Sequence, residues 1–343
     1  MAITDDTLRL WAESKDRVRR VTDQHMVELT RQWVDAWDVL APEFSQSLLD
    51  VLDTGYVPAS AFAKNRRLTS ALKQARQAVD ELAAGVSVTV SNDLALVVLD
   101  AAETHVSAGM SQLPASPGVA VSFSQPHPDA LTAIVERTTQ RIQAKSLPLA
   151  PEVEREMKRQ LIRGVAVGAN PNVTASRIMK KTEGAFNGGL ARAVRIARTE
   201  TLDAYREADL TAATQNKDLL TGWVWVATFD SRVCGSCLAN HGTVHDVDEF
   251  GPNDHQNGRC TRVDKTKSWR ELGFNITEPE DNIADAEAWF QSLTPDSQAE
   301  ILGAKRRDLL NNGDIQFSDL TTLRKNPDWR DSMALTPLSQ LVP

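Results

Sequence analysis

The sequence predicts a mainly α-helical, elongated protein with long helices and one small β subdomain in its C-terminal half, an α+β arrangement. Three observations carry this expectation. Apolar residues recur at helical spacing over most of the 343 residues. One stretch, Gly222 to Phe229, is instead apolar on both faces and reads as a buried strand. All three cysteines fall between Cys234 and Cys260, immediately after that strand, in a stretch rich in Gly, Asn and Asp.

The elements follow in order. Trp11, Val18, Val21, Leu29, Trp33, Trp37 and Leu40 place one helix over residues 5 to about 41. Pro42 should end it, because the residue before a proline is pushed out of the α region. A second helix is expected over Phe44 to Leu52, with Gly55 and Pro58 interrupting. Residues 60 to about 112 read as helix-rich. There the alternating Val86-Ser-Val-Thr-Val90 could form a strand, but its helical flanks favour helix. Four prolines mark a linker at 113–128, and His127 lies in it as a plain linker residue.

Helices are then expected from Asp129 to about Lys145, and from near Pro151 to about Val167, since proline is tolerated in a first turn. Two more follow, over 173–185 and from Leu190 to about Gln215. Arg198, on or beside an apolar face, needs a carboxylate or carbonyl partner. Short strands are expected at His241–His245 and Arg259–Val263. Glu287–Leu293 and Ser297–Leu302 read as helices, a basic segment starts at Ala304, and the tail from Pro327 reads as extended. The implied regions are 1–112 (helical), 113–128 (linker), 129–220 (helical core), 221–275 (small β subdomain) and 276–343 (C-terminal helical extension and tail).

Composition narrows the function. A net charge of −8 argues against a chain that coats nucleic acid along its whole length. The charge is uneven: residues 141–198 hold twelve basic and four acidic residues, while 271–343 hold six basic and thirteen acidic. Two surfaces facing different partners would produce this asymmetry, and so would solvated helix faces. Three cysteines cannot build a disulfide scaffold, which fits synthesis in a reducing compartment. The N-terminus lacks an apolar signal core, and the apolar run Leu94–Leu99 is too short to span a bilayer. The expectation is a chain made in the cytoplasm without a membrane anchor.

The cysteine stretch carries the chemistry. Cys234 and Cys237 form a C-x-x-C knuckle, His255 comes eighteen residues after Cys237, and Cys260 five residues after His255. Three thiolates and an imidazole are the ligand types of a closed, tetrahedral structural zinc site. Cys234, Cys237, His255 and Cys260 are therefore the expected metal ligands, with His241 and His245 as spare candidates or exposed loop residues. A disulfide, a redox C-x-x-C pair, or free thiols that merely cluster are the alternatives, and the βαβ context usual for a redox motif is not visible. So small a β unit buries little, and metal binding would supply folding energy to it.

The order of motifs carries a resemblance. IARTETLDAYREA (196–208) is followed by WVWVATFDSRVCGSC (223–237), a His-Gly, PNDHQNGRC (252–260), and a tail containing WFQSLTPDSQAEILGAKRRDLLNNGDIQFSDL (289–320). As a composite, over about 150–320, this resembles the phage Mu F-type minor head proteins, also called phage head morphogenesis proteins. That family often has a cysteine where this chain has Gly258; Cys260, two residues on, completes four ligands.

The resemblance implies a minor structural protein of a tailed-phage head, not an enzyme and with no catalytic residues. It implies a place in the virion near the portal, and in the host cytoplasm during assembly. It further implies partners in the portal protein and the major capsid protein, multiple copies, and a part in head assembly, packaging or ejection. Residues 1–112 would dock on portal or capsid, and residues 141–198 would meet packaged DNA. The rival reading is a zinc-stapled, HNH-like nuclease with His241, His245 or His255 as general base. The second C-x-x-C knuckle usual in such sites is missing. A protease would need Cys234 or Cys237 as nucleophile, in conflict with metal ligation. A zinc ribbon gripping nucleic acid is disfavoured by Asp246, Asp248, Glu249 and Asp254 in the loop.

Overall fold

Helix α1 (Asp5–Leu52) runs unbroken through Pro42 in the computed structural model, which describes residues 2–52, 65–114, 121–163, 171–327 and 329–341. The expected break at Pro42 is therefore absent. Trp33, Trp37 and Leu40 before the proline, and Phe44 and Leu48 after it, form one continuous buried stripe, with the Trp37 and Phe44 rings stacked 6.3 Å apart. Burial of such side chains, at about 1.5–3 kcal/mol each, outweighs the roughly 3 kcal/mol that a proline costs inside a helix. The expected interruption at Gly55 and Pro58 lies outside the described residues.

Four further long helices follow: α2 (Arg66–Ser111), α3 (Pro128–Ser146), α4 (Leu149–Arg163) and α5 (Pro171–Gln215). The ambiguous run 86–90 is helical: Val86 and Val90, four apart, are buried while Val88 between them is 64% exposed. By length and composition α2 could cross a bilayer, contrary to the reading from its short apolar run. Val86, Val90, Leu94, Val97, Val98 and Ala101 are, however, spent on the protein's own core. The two helices expected at 173–185 and 190–215 are one. Ile178, Thr182, Phe186, Gly189, Ala193 and Ile196 bury a single helical stripe across the glycines.

The chain divides into two compact units. Residues 19–95 and 135–201 make one, and its described residues form long helices with no strand among them. Its core includes the Trp33 and Trp37 rings against Phe186, and the Trp33 indole N–H donates to the Phe186 carbonyl at 3.3 Å. Gly189 lets α4 come close, because a Cβ there would stand 2.7 Å from Val153. Arg198 lies 3.4 Å from Asp23 and so has the carboxylate its position called for.

The other unit comprises residues 1–18, 96–134 and 202–343. Strand β1 (Leu220–Val226) is the centre of a three-stranded antiparallel sheet, between β2 (Val244–His245) and β3 (Thr261–Thr266). Trp223 faces Asp264, and Trp225 faces Arg262. Short helices α6 (Gly235–Asn240), α7 (Ala286–Gln291), α8 (Pro295–Leu302) and α9 (Ala304–Asn311) follow the pattern of their caps. Asp285 and Thr294 accept from backbone N–H groups at the starts of α7 and α8. Phe290, Leu302, Leu309, Leu310 and Leu320 share one core with Trp223, Trp225, Cys237 and Leu238.

The tail expected to be extended folds back instead. Strand β4 (Thr321–Arg324) pairs antiparallel with β5 (Ser332–Leu335), and α10 (Leu338–Leu341) ends the described chain. Four-residue strands are too short to show a period; it is the pairing that satisfies their backbone groups. In the expected linker, Phe123 is buried against Gly109, and Ser124 exchanges two backbone hydrogen bonds with the Asn216 side chain at 2.8 and 2.9 Å.

Candidate metal site and the buried ion networks behind it

Two clasps shape the cysteine loop. The Arg259 guanidinium forks onto Asp230, Nη1 to Oδ2 at 2.6 Å and Nη2 to Oδ1 at 2.7 Å, and the Arg232 N–H donates to the same carboxylate. Arg259 holds the Asp230 carboxyl down to about 2. At the knuckle, Cys234 is the N-cap of α6, and its Sγ accepts from the Cys237 backbone N–H at 3.3 Å. Gly235 is pressed against Leu302 and Leu335, where a Cβ would stand 2.4 Å and 2.8 Å from them.

All three cysteines are free and, with His255, line one small pocket together with Thr228, Arg232, Val233 and Arg259. The donor atoms of Cys234, Cys237 and His255 lie within 4.8 Å of one another, and so do those of Cys237, Asp254 and Cys260. Cys237 is the shared member. Sulfurs on one zinc, each at about 2.3 Å, sit about 3.8 Å apart, so the donor types and spacing suit such an ion. His255 offers one ring nitrogen, because Nδ1 meets the Gln256 carbonyl at 2.8 Å.

The electrostatics make Cys234 and His255 a thiolate–imidazolium pair, whose ring proton must leave before that nitrogen can hold a metal. A hydrogen bond from Cys237, then the His255 ring, holds Cys234 down to about 4, and Cys234 in turn pushes His255 up to about 9. Hydrogen bonding to Cys234 and Cys260 pushes the Cys237 thiol far up. Crowded thiols resist ionising together, and a divalent cation removes that penalty. Lys15 stands nearby, its Nζ donating to Thr228 Oγ1 at 2.8 Å, and burial pulls its ammonium below the usual lysine range.

Behind the loop stands an ion network that sequence reasoning missed. Asp254 is fully buried. Its Oδ2 accepts from the Cys260 N–H at 3.1 Å and from Arg206 Nη2 at 2.9 Å. Arg206, on α5, also donates to Asp203 at 3.0 Å, the Gly258 carbonyl at 3.3 Å and the Cys260 carbonyl at 3.1 Å. Arg330 closes the network, Nε to Asp203 at 2.8 Å and Nη1 to the Asp254 carbonyl at 2.8 Å. A Cβ on Gly258 would lie 1.9 Å from Asp254 Oδ2. At the position where the resembled family often carries cysteine, this chain has filled the space with a carboxylate.

A second network joins α2, α5 and β3. His105 Nδ1 lies 2.8 Å from Asp264 and 3.4 Å from Asp209, all three nearly without solvent exposure. Burial alone would lower His105, but Asp209 and Asp264 more than offset it and push it up to about 9. Burial, with Asp264 beside it, pushes Asp209 up to about 6. Arg262 donates to Asp264 at 2.6 Å and stacks over Trp223 at 5.2 Å. With Arg262 already seated between the carboxylates, the cluster is a charge-balanced brace. The one available signal was a charge every third residue, Asp203, Arg206 and Asp209, on an α5 face otherwise lined by Ala204, Ala208 and Ala212.

The spare histidines are engaged rather than loose. His241 Nδ1 accepts from the Ala227 N–H at 3.0 Å and Nε2 meets the Ala284 carbonyl at 3.0 Å. His245 stacks on Trp223 at 4.2 Å and meets Glu249 and Thr243. Neither joins the cysteine cluster.

Residues 155–263, from within α4 to β3, match the family described as Phage Mu protein F like protein, and over this stretch the chain is similar to that family. The likeness points to a phage head morphogenesis protein. No curated protein and no solved structure matches the chain.

Proposed function

We propose that this chain is a minor structural protein of a tailed-phage head, and that Cys234, Cys237, His255 and Cys260 hold a structural zinc. The supporting observation is that one stretch, 155–263, carries both the Phage Mu F-like likeness and two donor triads that share Cys237, with the three cysteines and His255 lining one pocket. Zinc would lock the knuckle to the loop before β3, a job that in its absence falls to the clasps and networks described above. The long helices of residues 1–112 would dock on the portal or major capsid protein, in multiple copies, near the portal. The basic region 141–198 would meet packaged DNA. The protein would assemble from the host cytoplasm and act in head assembly, packaging or ejection.

The experiment is the metal content of the purified protein, with and without Cys237→Ser. One zinc per chain, lost in the variant along with protection of the β1–β3 sheet from hydrogen exchange, is the expected result. A metal-free wild type would remove the zinc. Heads assembled normally with the protein absent from purified particles would remove the head assignment.

A further inference from the structure

We infer that the outward face of α5 between Arg177 and Arg195 is a rail for the sugar–phosphate backbone of double-stranded DNA, gripped at both ends and approached closely along its glycine midsection. This deepens the DNA contact proposed above and rests on it. Residues 177, 181, 184, 188, 192 and 195 follow helical spacing, and all are exposed. Four of them are Arg177, Lys181, Arg192 and Arg195, with Lys180 alongside. Among the described residues Arg177, Lys180, Lys181 and Arg195 have no ionic partner, while Arg192 reaches Glu152 on α4. Glu183, the one acidic residue in this span, projects about 120° away at 100° per residue.

The middle of the face carries the second observation. Gly184 and Gly188 sit one turn apart inside a continuous helix, where glycine destabilises relative to alanine. Nothing among the described residues asks for them: a Cβ at either would meet no atom within 4 Å there. Gly189 beside them is different, held by Val153 and Trp33. Bare helix surface facing outward, between two cationic ends, suits a bulky partner of negative charge. From Arg177 to Arg195 the rail is about 27 Å long at 1.5 Å per residue, alongside a duplex that carries a charge every 1.7 Å or so. A second copy packed on the same glycines would bring two cationic faces together, which disfavours self-association.

The test uses the full-length protein and a labelled duplex of arbitrary sequence, with binding followed by anisotropy across a salt series. In Arg177→Gln/Lys181→Gln/Arg195→Gln the slope of log affinity against log salt should be shallower by about 2.7, three contacts at about 0.9 each, whatever the sequence. In Gly184→Gln/Gly188→Gln, which adds good helix formers to an outward face, the melting temperature should hold or rise while DNA affinity falls. Duplex binding that both variants leave unchanged would overturn the rail and leave the wider DNA reading standing. A wild type that binds no duplex would overturn both. Glycine variants that lose self-association, or lose binding to another head protein, with DNA affinity intact would make the face a protein interface and end the proposal.

Discussion

Arg206→Met removes the cation that ties α5 to the cysteine loop while keeping the side chain's length and apolar stem. Arg206 is 4% exposed and donates to Asp203, Asp254 and the carbonyls of Gly258 and Cys260. Breaking a buried ion pair by deleting one partner costs about 3–5 kcal/mol, because the charge left behind stays buried. Arg330 still serves Asp203 and the Asp254 carbonyl, so the lower end applies. About 3 kcal/mol makes local opening roughly a hundredfold more frequent. Native-state hydrogen exchange reads this directly: amides of the 254–260 loop and β3 should lose that protection, while amides of residues 19–52 and 66–95 keep theirs. Arg206→Lys should recover only part, because an ammonium lacks the fork that meets several acceptors at once. A change below about 0.5 kcal/mol at the loop, the size of an ordinary surface substitution, would refute the reasoning.

Other outcomes follow from the same contacts. His105 is raised from 6.5 to about 9, so the stability it contributes is complete below pH 6.5 and lost as pH rises through 9. Thermal melts should weaken across that window by up to about 3 kcal/mol, and His105→Gln, which cannot titrate, should flatten the curve; an unchanged slope would show that the brace does not sense pH. Gly258→Ala must displace Asp254 and should cost about 3 kcal/mol or more, overpacking added to broken hydrogen bonds. A denaturation midpoint equal to wild type would mean that the Asp254 pocket yields freely. Pro42→Ala should stabilise the protein, since it restores a helical hydrogen bond and relieves a clash together worth about 3 kcal/mol, less about 1 kcal/mol for the freer unfolded chain. A lower melting temperature would mean that packing depends on the proline itself.

The helical character, the buried strand at Trp223–Trp225 and the cysteine cluster were legible because each rests on local pattern: spacing of apolar residues, a run apolar on both faces, and ligand types close in sequence. Pro42 misled, and the gap expected between residues 185 and 190 closed, for the complementary reason. Local propensity placed a break at Pro42, but buried stripes on both sides of each position continued the helix. The tail hairpin was invisible because strands as short as Thr321–Arg324 reveal themselves only by pairing.

By itself the sequence determined which residues carry metal-binding chemistry, where positive and negative charge concentrate, and which family the middle of the chain resembles. These are properties of residue type and order. Only the tertiary structure decided that Asp254 fills the space beside Gly258, that Arg206 and Arg330 hold it there, and that His105 meets Asp209 and Asp264. His105 is separated from Asp264 by 159 residues and Asp203 from Arg330 by 127. A buried charge acquires its partner from whatever the fold brings within about 4 Å, and no local pattern records that meeting.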